Sequence, residues 1–133
     1  MAKEFTAWYT VTIGDINYGR HLGNERPLVI FQQARIVYLE SLGFSEGDIG
    51  QGRGLVVVEA GCRYVKEVFL HDRLAVTVCP GEVSGKKFTF MYKAIRESDQ
   101  AEVFNGFTAH LAVDRQIRRV AELPEEFLQR CRF

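Results

Sequence analysis

Apolar and polar residues alternate over residues 5–13, FTAWYTVTI. One face carries every second residue: Phe5, Ala7, Tyr9, Val11 and Ile13. A period of two predicts a half-buried β-strand. The pattern changes over residues 25–42, ERPLVIFQQARIVYLESL, which predicts one long helix. Asn24 is a suitable N-cap, Pro27 lies in the first turn, and Gly43 supplies a left-handed stop.

The predicted helix has no wide polar face. Its apolar residues are spread around most of the circumference: Leu28, Val29, Ile30, Phe31, Ala34, Ile36, Val37, Tyr38, Leu39 and Leu42. A surface helix of a globular protein carries a single apolar stripe instead. We therefore expect this helix to be nearly buried, with a curved sheet around it.

Further segments are rich in Val, Phe, Tyr and Thr, which favour strands. They are residues 54–68, 73–83, 86–96 and 101–114. The connections between them look short, and short connections favour antiparallel neighbours. The tail LPEEFLQRCRF predicts a closing helical turn or two after Pro124. The sequence thus predicts an α+β architecture in a single domain spanning residues 1–133, with an antiparallel sheet of about five strands around one central helix.

The charge balance argues against nucleic acid as a partner. Lys and Arg together number 17, as do Asp and Glu, whereas phosphate binding needs a concentrated basic excess. No apolar run is long enough to span a membrane, and Lys3 and Glu4 lie where a signal peptide would be apolar. The three scattered cysteines indicate reduced thiols, without disulfides or a zinc site. We expect a cytoplasmic protein with no membrane partner.

The segment DINYGRHLGN, residues 15–24, joins the first strand to the helix. Asp, Asn and Gly are standard turn-formers, so the segment predicts either a simple turn or a functional site. The N–H groups of Gly23, Asn24 and Glu25 begin the helix, where unpaired N–H groups and the dipole attract a polar ligand. Gly19 and Gly23 allow the backbone to approach a ligand closely.

Several local patterns together resemble the hotdog-fold thioesterase family typified by 4-hydroxybenzoyl-CoA thioesterase. Its loop pattern DxDxxGHVNN is similar to DINYGRHLGN, and its helix signature near YFEEAR is similar to FQQAR at residues 31–35. The segment RYVKEVFLHDRLAV resembles the family's strand, turn and gD-l-v pattern, and the LPEEF ending resembles LPxxF. The similarity covers nearly the whole chain.

The resemblance implies a hotdog fold and hydrolysis of an acyl thioester carried by CoA or by acyl-carrier protein. It implies no metal and no organic cofactor. Family members form dimers that join their sheets, with active sites at the interface, so a homodimer or homotetramer is expected. The implied substrate-binding residues are Tyr18, Gly19, His21, Gly23, Asn24, Glu25 and Gln33.

The catalytic acid is where this chain departs from the family pattern. Asp15 falls on the first acid of the motif, but Asn17 falls on the acid that usually acts as base or nucleophile. An amide can orient a water molecule but cannot take its proton at neutral pH. We therefore expect Asn17 to align water or the thioester, with Asp15 or Glu59 as the base. Glu25 is a further possible base.

Two other functions remain open, because Gln32 and Gln33 also replace the helix acids of related families. One is a protein that binds acyl ligands without hydrolysing them. The other is hydration or dehydration of an acyl thioester. Structural roles are also open for the individual residues: His21 could bond only the loop backbone, and Glu59 could simply face outward on an alternating strand.

Overall fold

The predicted segments of the sequence form one long helix packed on a single antiparallel sheet. The structure, a computed structural model, describes residues 4–133. Its strands are β1 (Phe5–Thr10), β2 (Arg53–Tyr64), β3 (Arg73–Ser84), β4 (Lys87–Arg96), β5 (Glu102–Asp114) and β6 (Arg119–Ala121). Its α-helices are α1 (Arg26–Ser41) and α2 (Glu125–Cys131), and a 3-10 turn covers Ile13–Asp15. The α+β prediction is confirmed, with β6 as a short strand that the sequence pattern did not indicate.

The hairpins lie where the sequence has its tightest turns. Gly85, with φ 62°, lies between β3 and β4, which pair from Leu74 with Arg96 to Ser84 with Lys87. A positive φ suits glycine and matches the twist of a two-residue hairpin turn. The next turn joins β4 to β5, which are also antiparallel neighbours.

The prediction that β2 and β3 are neighbours is wrong. The sheet order is β1-β3-β4-β5-β2, with β6 pairing β5. Strand β2 ends at Tyr64 rather than at residue 68. Residues 65–72 then leave the strand, and the chain resumes as β3 on the other side of β4 and β5. This crossover leaves β2 as an edge strand, and its Val56, Val57 and Val58 are between 42% and 48% exposed.

Helix α1 covers the inner face of the sheet with one side only. Ile30, Phe31, Ala34, Tyr38 and Leu39 are buried. Leu28 and Val29 are each 40% exposed, and the following turn exposes Gln32 and Gln33. The expectation of a nearly buried helix is therefore wrong for the single chain, because its apolar residues divide between the core and an uncovered face.

Glycine lets the helix lie close to the sheet. A Cβ on Gly106 of β5 would lie 2.7 Å from the Phe31 ring and 2.2 Å from the carbonyl oxygen of Gly61. The Phe31 ring stacks on Tyr92, with centroids 4.5 Å apart and planes at 11°. No larger residue at position 106 fits between helix and strand.

A series of hydrogen-bonded polar side chains crosses the core beneath α1. The Arg35 guanidinium binds Glu46 at 2.6 Å and the Tyr92 hydroxyl at 3.1 Å. That hydroxyl lies 2.6 Å from Thr108 Oγ1, which lies 2.7 Å from His110 Nε2. Burial of the imidazole, together with the charge of Arg35, lowers the pKa of His110 to about 3. His110 is therefore a neutral core residue at physiological pH.

No helix in residues 4–133 is long and apolar enough to cross a membrane.

Candidate active site

The loop before α1 is a small hairpin built by its own residues. Ile16 and Leu22 form an antiparallel bridge. Within it the Asn17 N–H donates to the His21 carbonyl at 2.9 Å, and the Arg20 N–H donates to the Asn17 carbonyl at 3.0 Å. Arg20 takes the left-handed position of this turn, with φ 68°. The segment thus contains a turn, which leaves both the structural and the functional interpretation of its residues open.

The oxygen and the nitrogen of the Asn17 side-chain amide have different environments. Its Oδ1 accepts the Gly19 N–H at 2.9 Å, an interaction that stabilises the turn. The Asn17 side-chain nitrogen has no acceptor among the described residues. Its NH2 group therefore remains available to a ligand while the oxygen holds the backbone.

Asp15 is the buried anchor of the loop, with 2% of its surface exposed. Its carboxylate accepts hydrogen bonds from Thr12 N at 2.9 Å, from the Tyr9 hydroxyl at 2.8–2.9 Å, and from Arg26, whose Nε and Nη2 lie at 2.9 and 2.8 Å. Burial alone would raise the pKa of Asp15, but the hydrogen bonds from Thr12, Tyr9 and Arg26 outweigh it and hold the pKa below its usual value. This carboxylate is a poor base and a strong structural tie.

The helix begins differently from the sequence prediction. Glu25, not Asn24, is the N-cap residue, and no side chain caps the helix. The Gly23 N–H donates to the Asp15 carbonyl at 2.9 Å, which corrects the expectation that it faces a ligand. The N–H groups of Asn24 and Glu25 have no acceptor within residues 4–133. These unpaired donors stand at the positive end of the helix dipole, a suitable place for a polarised carbonyl oxygen.

A cleft of about 450 Å³ opens beside this helix terminus. Its polar lining combines residues of the loop with residues that follow β2: Asn17, His21, Asn24, Tyr64, Lys66 and Glu67. Its apolar lining consists of Leu22, Val65, Val68, Val103 and Phe104. A small set of polar groups in a mostly apolar cleft is the usual form of a small-molecule site.

The structure brings only part of the sequence-predicted site to this cleft. Asn17, His21 and Asn24 line it, whereas the other predicted residues are absent from its lining. The Tyr18 side chain is fully exposed at the tip of the turn, and Gln33 lies on the uncovered face of α1. The Glu25 carboxylate folds back over Gly23. A Cβ atom added to Gly23 would lie 2.5 Å from the Glu25 Oε1 atom.

Glu59 faces outward on β2, in agreement with the alternative interpretation of this residue. Its carboxylate pairs with Lys87 at 3.3 Å, and both side chains are about half exposed. Five residues separate it from Tyr64, which at about 3.3 Å per residue places it about 16 Å along the strand from the cleft. It does not meet the loop within one chain.

Two polar residues of the cleft were missed by the sequence reasoning: Tyr64 and Glu67. The Tyr64 hydroxyl donates to the carbonyl oxygen of Asn24 and so ties the end of β2 to the start of the helix. The segment RYVKEV was interpreted as the end of a strand and as part of the family's strand and turn pattern. Its departure from the sheet, which turns it towards the loop, has no local sequence signal.

The chain matches the family model for the thioesterase-like superfamily over residues 11–131. The structure is similar to Slr0204, a 1,4-dihydroxy-2-naphthoyl-CoA thioesterase from Synechocystis, with a TM-score of 0.87 and 21% identity over 97% of this chain and 96% of that one. It is also similar to SAV2348 from Staphylococcus aureus in complex with CoA, with a TM-score of 0.86 and 21% identity over 98% and 82% of the chains.

A hypothetical protein from Aquifex aeolicus gives a TM-score of 0.86 and 25% identity over 96% of this chain and 98% of that one. No curated protein matches the sequence significantly. The family match spans the loop, the central helix and strands β2 to β6, and the described architecture agrees with it. The chain belongs to the thioesterase-like superfamily and has the hotdog fold.

Proposed function

We propose that the protein hydrolyses an acyl thioester, with water attacking a carbonyl that is polarised at the N-terminus of α1. The single observation that carries this proposal is the cleft, which is lined by a loop amide and a histidine and opens beside the helix start, where the N–H groups of Asn24 and Glu25 are unpaired. Donors directed at a developing oxyanion are commonly the largest electrostatic contribution to acyl transfer. Membership of the thioesterase-like superfamily supports the same reaction class.

Each part of the cleft has a role in this proposal. The Asn24 and Glu25 N–H groups bind the carbonyl oxygen, and the free amide NH2 of Asn17 orients the attacking water or the thioester sulfur. The Nδ1 atom of His21 lies 3.3 Å from the Leu22 carbonyl, so the ring is held beside the loop backbone. The apolar side chains on the other wall, among them Leu22, Val68 and Phe104, accept the acyl group.

The two bases expected from the sequence fit this site unequally. Asp15 is engaged on both oxygens and has a lowered pKa, so its role in the proposal is to position the loop. Glu59 remains a base only if the substrate is shared with another subunit, because it lies along β2 outside the cleft.

Acyl-CoA is the proposed substrate class, with acyl-carrier protein as the second carrier to test. One structural relative was solved with CoA, and another is described as a naphthoyl-CoA thioesterase. Lys66 provides a cation at the cleft that suits a phosphate of the CoA moiety.

A homodimer is part of the proposal. Strand β2 has one partner, β5, and exposes Val56, Val57 and Val58. The uncovered face of α1 exposes Leu28 and Val29. A long apolar edge strand is prone to pair with another strand, and an uncovered apolar face favours burial against a partner. Two copies joined through β2 would cover such surfaces.

The test is thiol release from a panel of aliphatic and aromatic acyl-CoAs and from acylated carrier protein. We expect turnover on at least one acyl-CoA, and a fall in kcat of about 100-fold to 1,000-fold in Asn17→Ala, the range for loss of one hydrogen-bond donor to the transition state. Val83→Ala, on the far strand β3, is the matched control and should keep full activity. Absence of turnover on every substrate would refute the proposal.

The second function, a non-catalytic acyl-ligand binder, is favoured by one specific observation: amides occupy positions 17, 32 and 33, where related families carry acids. It predicts saturable binding of an acyl-CoA with no release of free thiol. Equilibrium binding measured beside the turnover assay distinguishes the two functions.

A further inference from the structure

Glu67 is the one acidic residue in the lining of the proposed cleft. Asp15, Glu25 and Glu59 are all absent from that lining. A hydrolase that activates water needs a proton acceptor within hydrogen-bond reach of that water. We propose that Glu67 is the general base of this chain, an inference that rests on the proposed thioesterase function.

Hydrogen bonds hold the backbone around Glu67 next to the loop of residues 15–24. The Glu67 carbonyl accepts a hydrogen bond from Arg96 at 2.8 Å, and the next carbonyl, that of Val68, accepts the Leu22 N–H at 2.7 Å. The second bond joins the segment directly to the residue after His21. Glu67 is therefore held one residue from the point where the segment after β2 contacts the loop.

The start of the segment is fixed as well. The N–H groups of Val65 and Lys66 both donate to the Val103 carbonyl, at 2.9 and 3.0 Å. Two successive donors to one acceptor break the alternation of β2 and turn the chain out of the sheet. This irregularity places Lys66 and Glu67 together at the cleft instead of on opposite faces of a continuing strand.

The Glu67 carboxylate is available to accept a proton. It is exposed, and within residues 4–133 its carboxylate forms no hydrogen bond or ion pair. Asp15 differs in this respect, because Thr12, Tyr9 and Arg26 already occupy its oxygens. A base must have a lone pair available to the reacting water, and no donor among the described residues occupies the Glu67 carboxylate.

The proposed step balances without a cofactor. Water held between the Glu67 carboxylate and the thioester attacks the carbonyl carbon, and the carboxylate takes one water proton as the C–O bond forms. The tetrahedral oxyanion is stabilised by the Asn24 and Glu25 N–H groups. Its collapse re-forms the carbonyl and breaks the C–S bond, and the proton held by Glu67 passes to the departing thiolate. The products are a carboxylic acid and a free thiol.

The test compares Glu67→Gln, Glu67→Asp and Glu59→Gln with the wild-type protein on the best acyl-CoA of the panel, with kcat and KM measured across pH. Glu67→Gln keeps the size and polarity of the side chain and removes the base. We expect kcat to fall by about 100-fold or more, the usual contribution of a general base, with KM changed little. Glu67→Asp should retain part of the activity. Glu82→Gln, an exposed acid on β3, is the matched control.

A role in catalysis also changes the pH profile, which a structural role would not do. The dependence of kcat on pH should differ between the wild-type protein and Glu67→Gln, which has no carboxylate at this position. Full activity in Glu67→Gln would overturn the inference and leave the thioesterase function intact. Loss of kcat in Glu59→Gln alone would assign the base to Glu59 instead. A wild-type protein that turns over no thioester would refute the proposed function, and the inference with it.

Discussion

The loop is held by Asp15, and replacing this residue with asparagine tests that dependence directly. Asparagine keeps the shape of the side chain, but one of its terminal atoms becomes an NH2 donor. All the groups around the carboxylate, namely Thr12 N, the Tyr9 hydroxyl and the Arg26 guanidinium, are donors. Whichever way the amide turns, its NH2 meets at least one of them.

The magnitude follows from the bonds that are lost. Hydrogen bonds to a charged group contribute about 1.5–3 kcal/mol each. Depending on which way the amide turns, Asp15→Asn weakens either the two hydrogen bonds from Arg26 or the hydrogen bonds from Thr12. The side-chain oxygen that remains recovers part of this loss. We therefore expect the free energy of unfolding to fall by about 2–4 kcal/mol. In a domain of this size the melting temperature should fall by about 10 °C.

The pH dependence gives a second measurement. Because the folded-state pKa of Asp15 is lowered, its ionised form stabilises the fold above the unfolded aspartate pKa of about 3.9. This stabilisation is lost as pH falls through the lower, folded-state pKa. The difference in unfolding free energy between wild type and Asp15→Asn should therefore be constant near neutral pH and shrink below about pH 4.

Denaturant unfolding followed by tyrosine and tryptophan fluorescence measures both effects. Asp99→Asn is the matched control, because Asp99 also pairs with an arginine, Arg96, but at the surface with its side chain 50% exposed. Its substitution should have a much smaller effect, since solvent screens exposed pairs. A stability of Asp15→Asn equal to that of wild type at neutral pH would show that Asp15 does not anchor the loop.

The remaining predictions concern the turn, the edge strand and the buried histidine. Arg20→Gly should raise the free energy of unfolding by about 0.5–1 kcal/mol, because Arg20 has φ 68° and glycine adopts this conformation without strain; an unchanged or lower denaturation midpoint would contradict this. Val57→Lys should convert a dimer to monomer in light scattering, because it places a charge on the exposed β2 edge, and an unchanged mass would exclude pairing through β2. The His110 ring should show no NMR titration between about pH 8 and pH 5, where a free imidazole titrates, because its pKa is lowered to about 3.

Much of the fold was predictable because it depends on local patterns. The period-two alternation from Phe5 identified β1, and the strand-forming residues of 73–83 and 86–96 identified β3 and β4. Pro27 and Gly43 placed the ends of α1 to within a residue or two, because proline fixes its own φ and glycine readily adopts the positive φ that ends a helix. The resemblance of DINYGRHLGN to a family motif indicated the correct superfamily.

The partner of a strand is not a local property. The strand-forming residues of β2 indicate a strand but not which neighbour it meets, and the crossover of residues 65–72 decides that. The same crossover delivers Glu67 to the cleft, so the sequence position of Glu67 gave no indication of it. Pairing depends on hydrogen bonds between segments far apart in the chain, and one sequence does not contain their register.

From the sequence alone came the element types, the helix ends, and the loop of residues 15–24 as the place to look for chemistry. Only the tertiary structure decided the roles within that loop. Tyr9 and Arg26 converge on Asp15 and make it an anchor, while Asn17, Asn24 and Glu67 come to face one cleft. Backbone propensities act over a few residues, whereas the reactivity of a carboxylate depends on whichever groups folding places around it.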